Sequence, residues 1–193
     1  MEFINNFEIG ILEFIQSHMS CAFLNAVMPV ITSLADAGIF WIIVAVAMLF
    51  FKKTRKMGLT MGVALILGLI VGNGILKPII DRTRPYDFYK EMTGLEYNLL
   101  IGKLDDGSFP SGHTLASFEA AGAMLFRDRR FGLPALALAV VIAFSRLYLF
   151  VHYPSDVLAG IILGLLFAFA SYLLINAIYK KYGFDKDTAS LIK

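Results

Sequence analysis

The sequence predicts an all-α protein: a polytopic membrane helix bundle with five or six transmembrane helices and an N-terminal amphipathic helix. Three observations predict it. Of the 193 residues, 58% are hydrophobic and 17% charged, with a mean hydropathy of +0.72, and a soluble domain of this length has too little interior to hide that much apolar surface. Uncharged runs approaching or exceeding the roughly 20 residues that cross a hydrocarbon core recur along the chain. The basic clusters then fall at alternate ends of those runs, as the positive-inside rule requires of a multi-pass chain.

In order, the first 35 residues carry no Lys or Arg. Phe3, Phe7, Ile11, Phe14 and Ile15 recur at helical spacing beside Glu and Asn, which predicts an amphipathic helix at the interface. The segment lacks a basic leader and holds Glu2, Glu8 and Glu13, so it does not read as a cleaved signal peptide. Residues 14–35 are also free of Asp, Glu, Lys and Arg and offer a sixth span, broken near Pro29. Cys21, the single cysteine, reads as a small buried hydrophobe, with neither a disulfide nor a cysteine metal site.

Residues 37–51 form the first expected span and 57–76 the second. Residues 111–126 follow as the third, uncharged except for Glu119 and carrying His113, then 131–145 and 157–179. Lys52-Lys53-Thr54-Arg55-Lys56, Arg127-Asp128-Arg129-Arg130 and Lys180-Lys181 follow the first, third and fifth of these and mark the cytoplasmic side. Gly58/Gly62, Gly68/Gly72 and Gly160/Gly164 are small pairs that let helices approach closely, within one chain by default. The whole of 1–193 reads as one domain: a peripheral segment over 1–35, a helical core over 36–179 and a cytoplasmic tail over 180–193. The net charge of +2 gives no footing for nucleic acid.

The other side is left with the segment before Asp36, the loop 78–110 and the turn 146–156. That side should be poor in basic groups, yet it holds Lys77, Arg82, Arg84 and Arg146, with His113 and His152 beside them. Lys90 and Lys103 read as interfacial anchors. The others lie next to residues that fix the backbone. Pro78 and Pro85 stiffen the segment between Lys77 and Arg84. Ser111, Gly112 and His113 open a helix whose unpaired N–H groups favour an anion, and Gly112 admits it closely. Asp156 lies four residues after His152, close enough to accept from one ring nitrogen if the chain turns there. Three fixed cations and a helix N-terminus describe a seat for a doubly charged phosphate. One histidine oriented by a carboxylate describes a nucleophile, and a second a general acid. No cluster of carboxylates suggests a metal, so no cofactor is expected.

These segments resemble the type-2 phosphatidic acid phosphatase superfamily. Its motifs appear as Lys77, six residues, Arg84-Pro85; as Pro110-Ser111-Gly112-His113; and as Ser145-Arg146, five residues, His152, three residues, Asp156. The resemblance implies that His152 forms a phosphohistidine with Asp156 orienting it, and that His113 protonates the leaving group. It also implies that Lys77, Arg84 and Arg146, with Ser111 and the Gly112 amide, bind the phosphate, while Ser145 supports the third motif. The expected activity is a metal-independent lipid phosphatase of the bacterial cytoplasmic membrane, its site facing outward. The expected substrate is a lipid phosphate, undecaprenyl pyrophosphate first, with phosphatidylglycerol phosphate or phosphatidic acid as alternatives. A lipid phosphoryl transferase and a non-catalytic lipid-binding protein are the readings from other classes. Tyr86, Phe88, Tyr89 and Tyr97 of the loop 86–109 either line a lipid entrance or are ordinary interfacial aromatics. Glu119, inside an expected span, reads as a structural carboxyl bonded to a neighbouring helix through Asn73.

Overall fold

The computed structural model describes residues 2–183, with side chains from residue 5 onward. Among the described residues the regular elements are all helical: α1 (Glu2–Met19), α2 (Ala22–Ser33), a 3-10 turn (Asp36–Gly38), α3 (Ile39–Leu49), α4 (Arg55–Leu67), a π-helical stretch (Gly68–Leu76), α5 (Lys77–Ile80), α6 (Pro85–Thr93), α7 (Gly112–Leu125), α8 (Arg129–Tyr148) and α9 (Pro154–Tyr182). Of the tail expected over 180–193, positions 184–193 lie outside the described residues.

Three stretches are long and apolar enough to cross a membrane: Arg55–Thr93, Arg129–Tyr148 and Pro154–Tyr182. A fourth arises if α2 and the Asp36–Leu49 segment, bent by 43°, form one span. The expected first span, 37–51, is thus the second half of a bent pair. Ala37 and Gly38 take positive φ at the bend (49° and 68°), which breaks the helix just past Ser33. The expected third span is α7, with only 14 residues, or about 21 Å at the helical rise, against a hydrocarbon core of about 30 Å. Its position compensates for its length. From Leu115 on, nearly every residue is buried, because Ala120, Ala121, Gly122 and Ala123 let α4, α8 and α9 close around it.

The small residues pack within the chain. A Cβ added at Gly58 meets the Ala45 carbonyl oxygen at 2.6 Å, one at Gly72 meets Leu115 Cδ2 at 2.2 Å, and one at Gly160 meets the Ser111 carbonyl oxygen at 3.0 Å. At Gly164 it meets the Leu115 carbonyl oxygen at 2.8 Å and Phe118 Cβ at 2.9 Å, so α9 lies directly on the backbone of α7. Gly62 has nothing within 4 Å. Gly164→Ala therefore forces two helices apart and costs about 1–3 kcal/mol. Thermal unfolding in detergent is expected to show a lowered Tm for Gly164→Ala and none of that loss for Gly62→Ala.

The two ends of the bundle differ. At the basic end, Arg127 joins α4, α7 and α9: its Nε and Nη2 donate to Thr60 Oγ1 at 3.1 and 2.9 Å, and Nη1 donates to Asn176 Oδ1 at 2.6 Å. Lys56 Nζ lies 4.8 Å from the centre of the Tyr179 ring. The opposite end carries α1, α6 and the loop that follows α6.

The packing of α1 adds a face that its spacing did not single out, and one expectation, for Cys21, changes. In α1 the inward face is Asn5, Glu8, Ile9, Leu12 and Ile15, whereas Phe7 and Phe14 are 68% and 59% exposed. The helix carries apolar residues on two faces, and its spacing alone did not say which one meets the protein; the side chain of Phe3 is outside the described residues. Cys21 is exposed, not buried. It caps α2 in extended backbone at the break after α1 (φ −151°, ψ 160°) and so misses the packed interior.

Candidate active site

Both imidazoles line one cavity of about 750 Å³ at the non-basic end, together with Lys77, Arg84, Asp106, Gly112 and Arg146. From there the cavity runs between apolar walls that include Ile42, Val46, Val63, Ile66 and Leu69. It thus has a charged cup and an oily stem.

Each cation is delivered by a different local device. The π-helical stretch widens α4 just ahead of Lys77. Lys77 Nζ contacts Asp106 Oδ2 at 2.6 Å. Arg84 takes the extended backbone required before Pro85 (φ −74°, ψ 154°), which turns its buried side chain into the cup. Its Nη2 meets Asp106 Oδ1 at 2.5 Å, Nη1 donates to the Val151 carbonyl at 2.8 Å, and Nη1 lies 3.4 Å from His152 Nε2. Arg146 comes from the last turn of α8 and is 1% exposed. Its Nη1 donates to Thr32 Oγ1, while Nε and Nη2 have no hydrogen-bond partner among the described residues. Buried N–H groups of a cation are costly to leave unmade, so this pair fits an anion.

The histidines arrive from the first turn of α7 and from the turn before α9. His113 Nε2 lies 2.8 Å from Asp36 Oδ1; a carboxylate oxygen accepts, so this nitrogen carries the proton. His152 Nδ1 lies 2.7 Å from the Ser108 carbonyl oxygen, which also only accepts. Nδ1 therefore holds the proton and Nε2 presents its lone pair beside Arg84. Burial pushes the His152 pKa well below its ordinary value, and Arg146, Arg84, Lys77 and His113 push the same way, which keeps the ring neutral. For Asp106, burial acts to raise the pKa, but the hydrogen bonds and charges of Lys77 and Arg84 outweigh it and bring the value down to about 2. It stands ionised across two of the three cations.

Asp156 is fully buried at the third position of α9 and folds back on the start of its own helix. Its Oδ2 accepts from the Tyr153 N–H at 2.9 Å and lies 3.5 Å from His152 Nδ1. The carboxylate is thus adjacent to the ring as expected, but the short bond from Nδ1 goes to Ser108. Ser111 and Ser145 do not reach the cup. Ser111 Oγ accepts from Thr114 at 3.0 Å, and Ser145 Oγ donates to the Ile142 carbonyl at 2.6 Å.

Other side chains take unexpected partners. Glu119 is buried, its Oε1 without a hydrogen-bond partner among the described residues, and is seated in the notch of Gly68, where a Cβ would lie 2.1 Å from that oxygen. Its expected partner Asn73 instead sits beside Gly112, where an added Cβ would meet Asn73 Oδ1 at 3.1 Å. Tyr86, Tyr89 and Tyr97 belong to an aromatic cluster over the His152 turn: Tyr97 stacks on Phe150 at 3.9 Å, and the Tyr86 hydroxyl donates to the Leu104 carbonyl at 2.9 Å. Asp36, Asp106 and Ser108 contact the candidate site residues, and motif spacing did not single them out. Among the described residues no group of three or more His, Cys, Asp or Glu is placed to hold a metal ion.

A family model described as the PAP2 superfamily matches residues 56–180. The chain is 34% identical over 132 residues to an undecaprenyl-diphosphatase of Sulfolobus acidocaldarius; the match covers 68% of this chain and 61% of that protein, less than two thirds of its length. It is 31% identical over 146 residues to undecaprenyl-diphosphatase BcrC of Bacillus subtilis, covering 76% of this chain and 72% of BcrC. Its fold is similar to the crystal structure of a transmembrane PAP2-type phosphatidylglycerolphosphate phosphatase from Bacillus subtilis, with a TM-score of 0.70, 26% identity, and coverage of 94% of this chain and 88% of that one.

Proposed function

The chain belongs to the PAP2 superfamily, and from that premise we propose that it is a metal-independent membrane lipid phosphatase acting through a phosphohistidine, with undecaprenyl pyrophosphate as its substrate. The observation that carries the reading is the cavity itself, where Lys77, Arg84, Arg146 and both histidines share a cup continuous with an apolar stem. A phosphate fits the cup while its lipid tail lies along the stem. The choice of carrier lipid follows the activity named for the Sulfolobus and Bacillus relatives. Phosphatidylglycerol phosphate is the second reading, favoured by the similarity in fold to the Bacillus phosphatase. A competition panel of the two lipids and phosphatidic acid, compared by kcat/KM, tests the choice.

In the proposed reaction the lone pair of His152 Nε2 attacks phosphorus, and the bond to the lipid-side oxygen breaks. His113, with both ring nitrogens protonated when the substrate binds, gives that oxygen its Nδ1 proton and keeps the Nε2 proton against Asp36. The ring now carries phosphate on Nε2 and a proton on Nδ1, hence a positive charge that the Ser108 carbonyl and Asp156 face. Water then attacks phosphorus, His113 takes its proton, and inorganic phosphate leaves with Nε2 restored. Lys77, Arg84, Arg146 and the Gly112 amide hold the non-bridging oxygens throughout. In this reading the chain forms one domain with five spans, α7 being completed by flanking residues, and the cup faces away from the basic, cytoplasmic end.

Asp106 competes with the phosphate for Lys77 and Arg84. Its side chain is 54% exposed, so the contact is screened and weak. Asp106→Asn is expected to lower the inhibition constant of inorganic phosphate about two- to fivefold. An unchanged constant would show that the carboxylate does not stand in the phosphate's place.

A further inference from the structure

A second polar cluster lies behind the cup and ties α1 to it. The Arg82 guanidinium is its centre. Nη1 donates to Asp156 Oδ1 at 2.6 Å and to Ser155 Oγ at 2.7 Å. Nη2 donates to Glu8 Oε2 and Asn5 Oδ1, both at 2.6 Å. Glu8 closes the ring: its Oε1 accepts the Ser155 N–H at 2.6 Å and its Oε2 accepts the Ser155 hydroxyl at 3.0 Å. The guanidinium also lies 3.8 Å above the Tyr153 ring. The side chains of Arg82, Glu8 and Asp156 are 9%, 7% and 0% exposed. Buried ions persist where every partner is in place, and such a network is rigid.

We propose that Glu8 and Arg82 form a positioning bracket that fixes Asp156 against the His152 ring, making the N-terminal helix a working part of the site. The inference rests on the reading of His152 and Asp156 given above. Arg82 holds Oδ1, so Asp156 must present Oδ2 to its own helix start and to His152 Nδ1, 3.5 Å away. Glu8 fixes the far edge of the guanidinium and caps α9 at Ser155, so the carboxylate cannot turn about its terminal bond. The need is greatest when the phosphorylated ring is positive, since a misdirected carboxylate then faces a charge it does not meet. Neither Glu8 nor Arg82 lines the phosphate cup. They therefore act on the reaction and not on phosphate binding.

The test uses the full chain in detergent with Glu8→Gln, Arg82→Gln, Arg82→Lys and the Glu8→Gln/Arg82→Gln double variant. It reads kcat and KM on the lipid phosphate, the inhibition constant of inorganic phosphate, and Tm. Both single Gln variants are expected to lose about tenfold or more in kcat, the scale on which partners behind an active ring act. KM and the phosphate constant are expected to stay within about threefold, because Lys77, Arg84 and Arg146 are untouched. Arg82→Lys does not rescue, since one ammonium cannot span both carboxylates. The double variant is no slower than Arg82→Gln, as expected of residues that act as a unit. Wild-type kcat in Glu8→Gln overturns the proposal, and so does a parallel fall of kcat, phosphate affinity and Tm, which marks a fold effect alone. If Arg82→Gln does not fold, the isosteric Glu8→Gln decides by itself. His152→Ala in the same assay tests the phosphatase reading separately: activity that survives His152→Ala strikes that reading, whereas activity that survives only Glu8→Gln strikes the bracket.

Discussion

His152→Ala is expected to abolish phosphate release from a lipid phosphate in the presence of EDTA, by at least about three orders of magnitude in kcat. The expectation follows from what the ring alone provides. Nδ1 is committed to the Ser108 carbonyl at 2.7 Å, which leaves Nε2 as the one lone pair beside Arg84 in the cup. Burial and four neighbouring cationic or imidazole groups keep the ring neutral, so the nucleophile needs no base to deprotonate it. The three cations survive in the variant, so direct binding of inorganic phosphate, read by calorimetry, should persist while turnover is lost. Turnover at the wild-type rate would remove His152 from the chemistry.

His113→Ala is expected to show a loss that depends on the leaving group. On an alkyl phosphate the departing oxygen is strongly basic and needs a proton, and the variant should lose about 10²- to 10⁴-fold. On p-nitrophenyl phosphate the departing oxygen leaves unprotonated, and the loss should be no more than about tenfold. The contrast follows from His113 sharing the cavity with His152, its Nε2 committed to Asp36 at 2.8 Å and its Nδ1 left to carry the transferred proton. Equal losses on the two substrates would make His113 a phosphate ligand and not an acid.

The sequence carried the site's charged groups because each is set by short-range grammar. Lys77 and Arg84 flank prolines, Gly112 and His113 open a helix, and His152 and Asp156 sit one helical turn apart. It carried the partners poorly because they pair across the chain. Asp106 meets Lys77 over 29 positions, Glu8 meets Arg82 over 74, and Asp36 meets His113 over 77. No local spacing encodes such pairs. The helices were legible as apolar runs, but their lengths and surroundings were not: α7 lies at the centre of the bundle with 14 residues, walled by other helices. Hydropathy reports burial and does not say whether protein or lipid supplies it. The same limit concealed the inward face of α1, where Glu8 and Asn5 lie buried beside Leu12.

The central claim is that His152 accepts the phosphoryl group. A single-turnover reaction with a phosphorus-labelled lipid phosphate, quenched in alkali to preserve phosphohistidine and mapped by peptide mass spectrometry, tests it most directly. A phosphoryl group is expected on His152, formed and lost within the turnover and missing from His152→Ala. Phosphate release from an active enzyme with the label on another residue, or on none at any time, would contradict it.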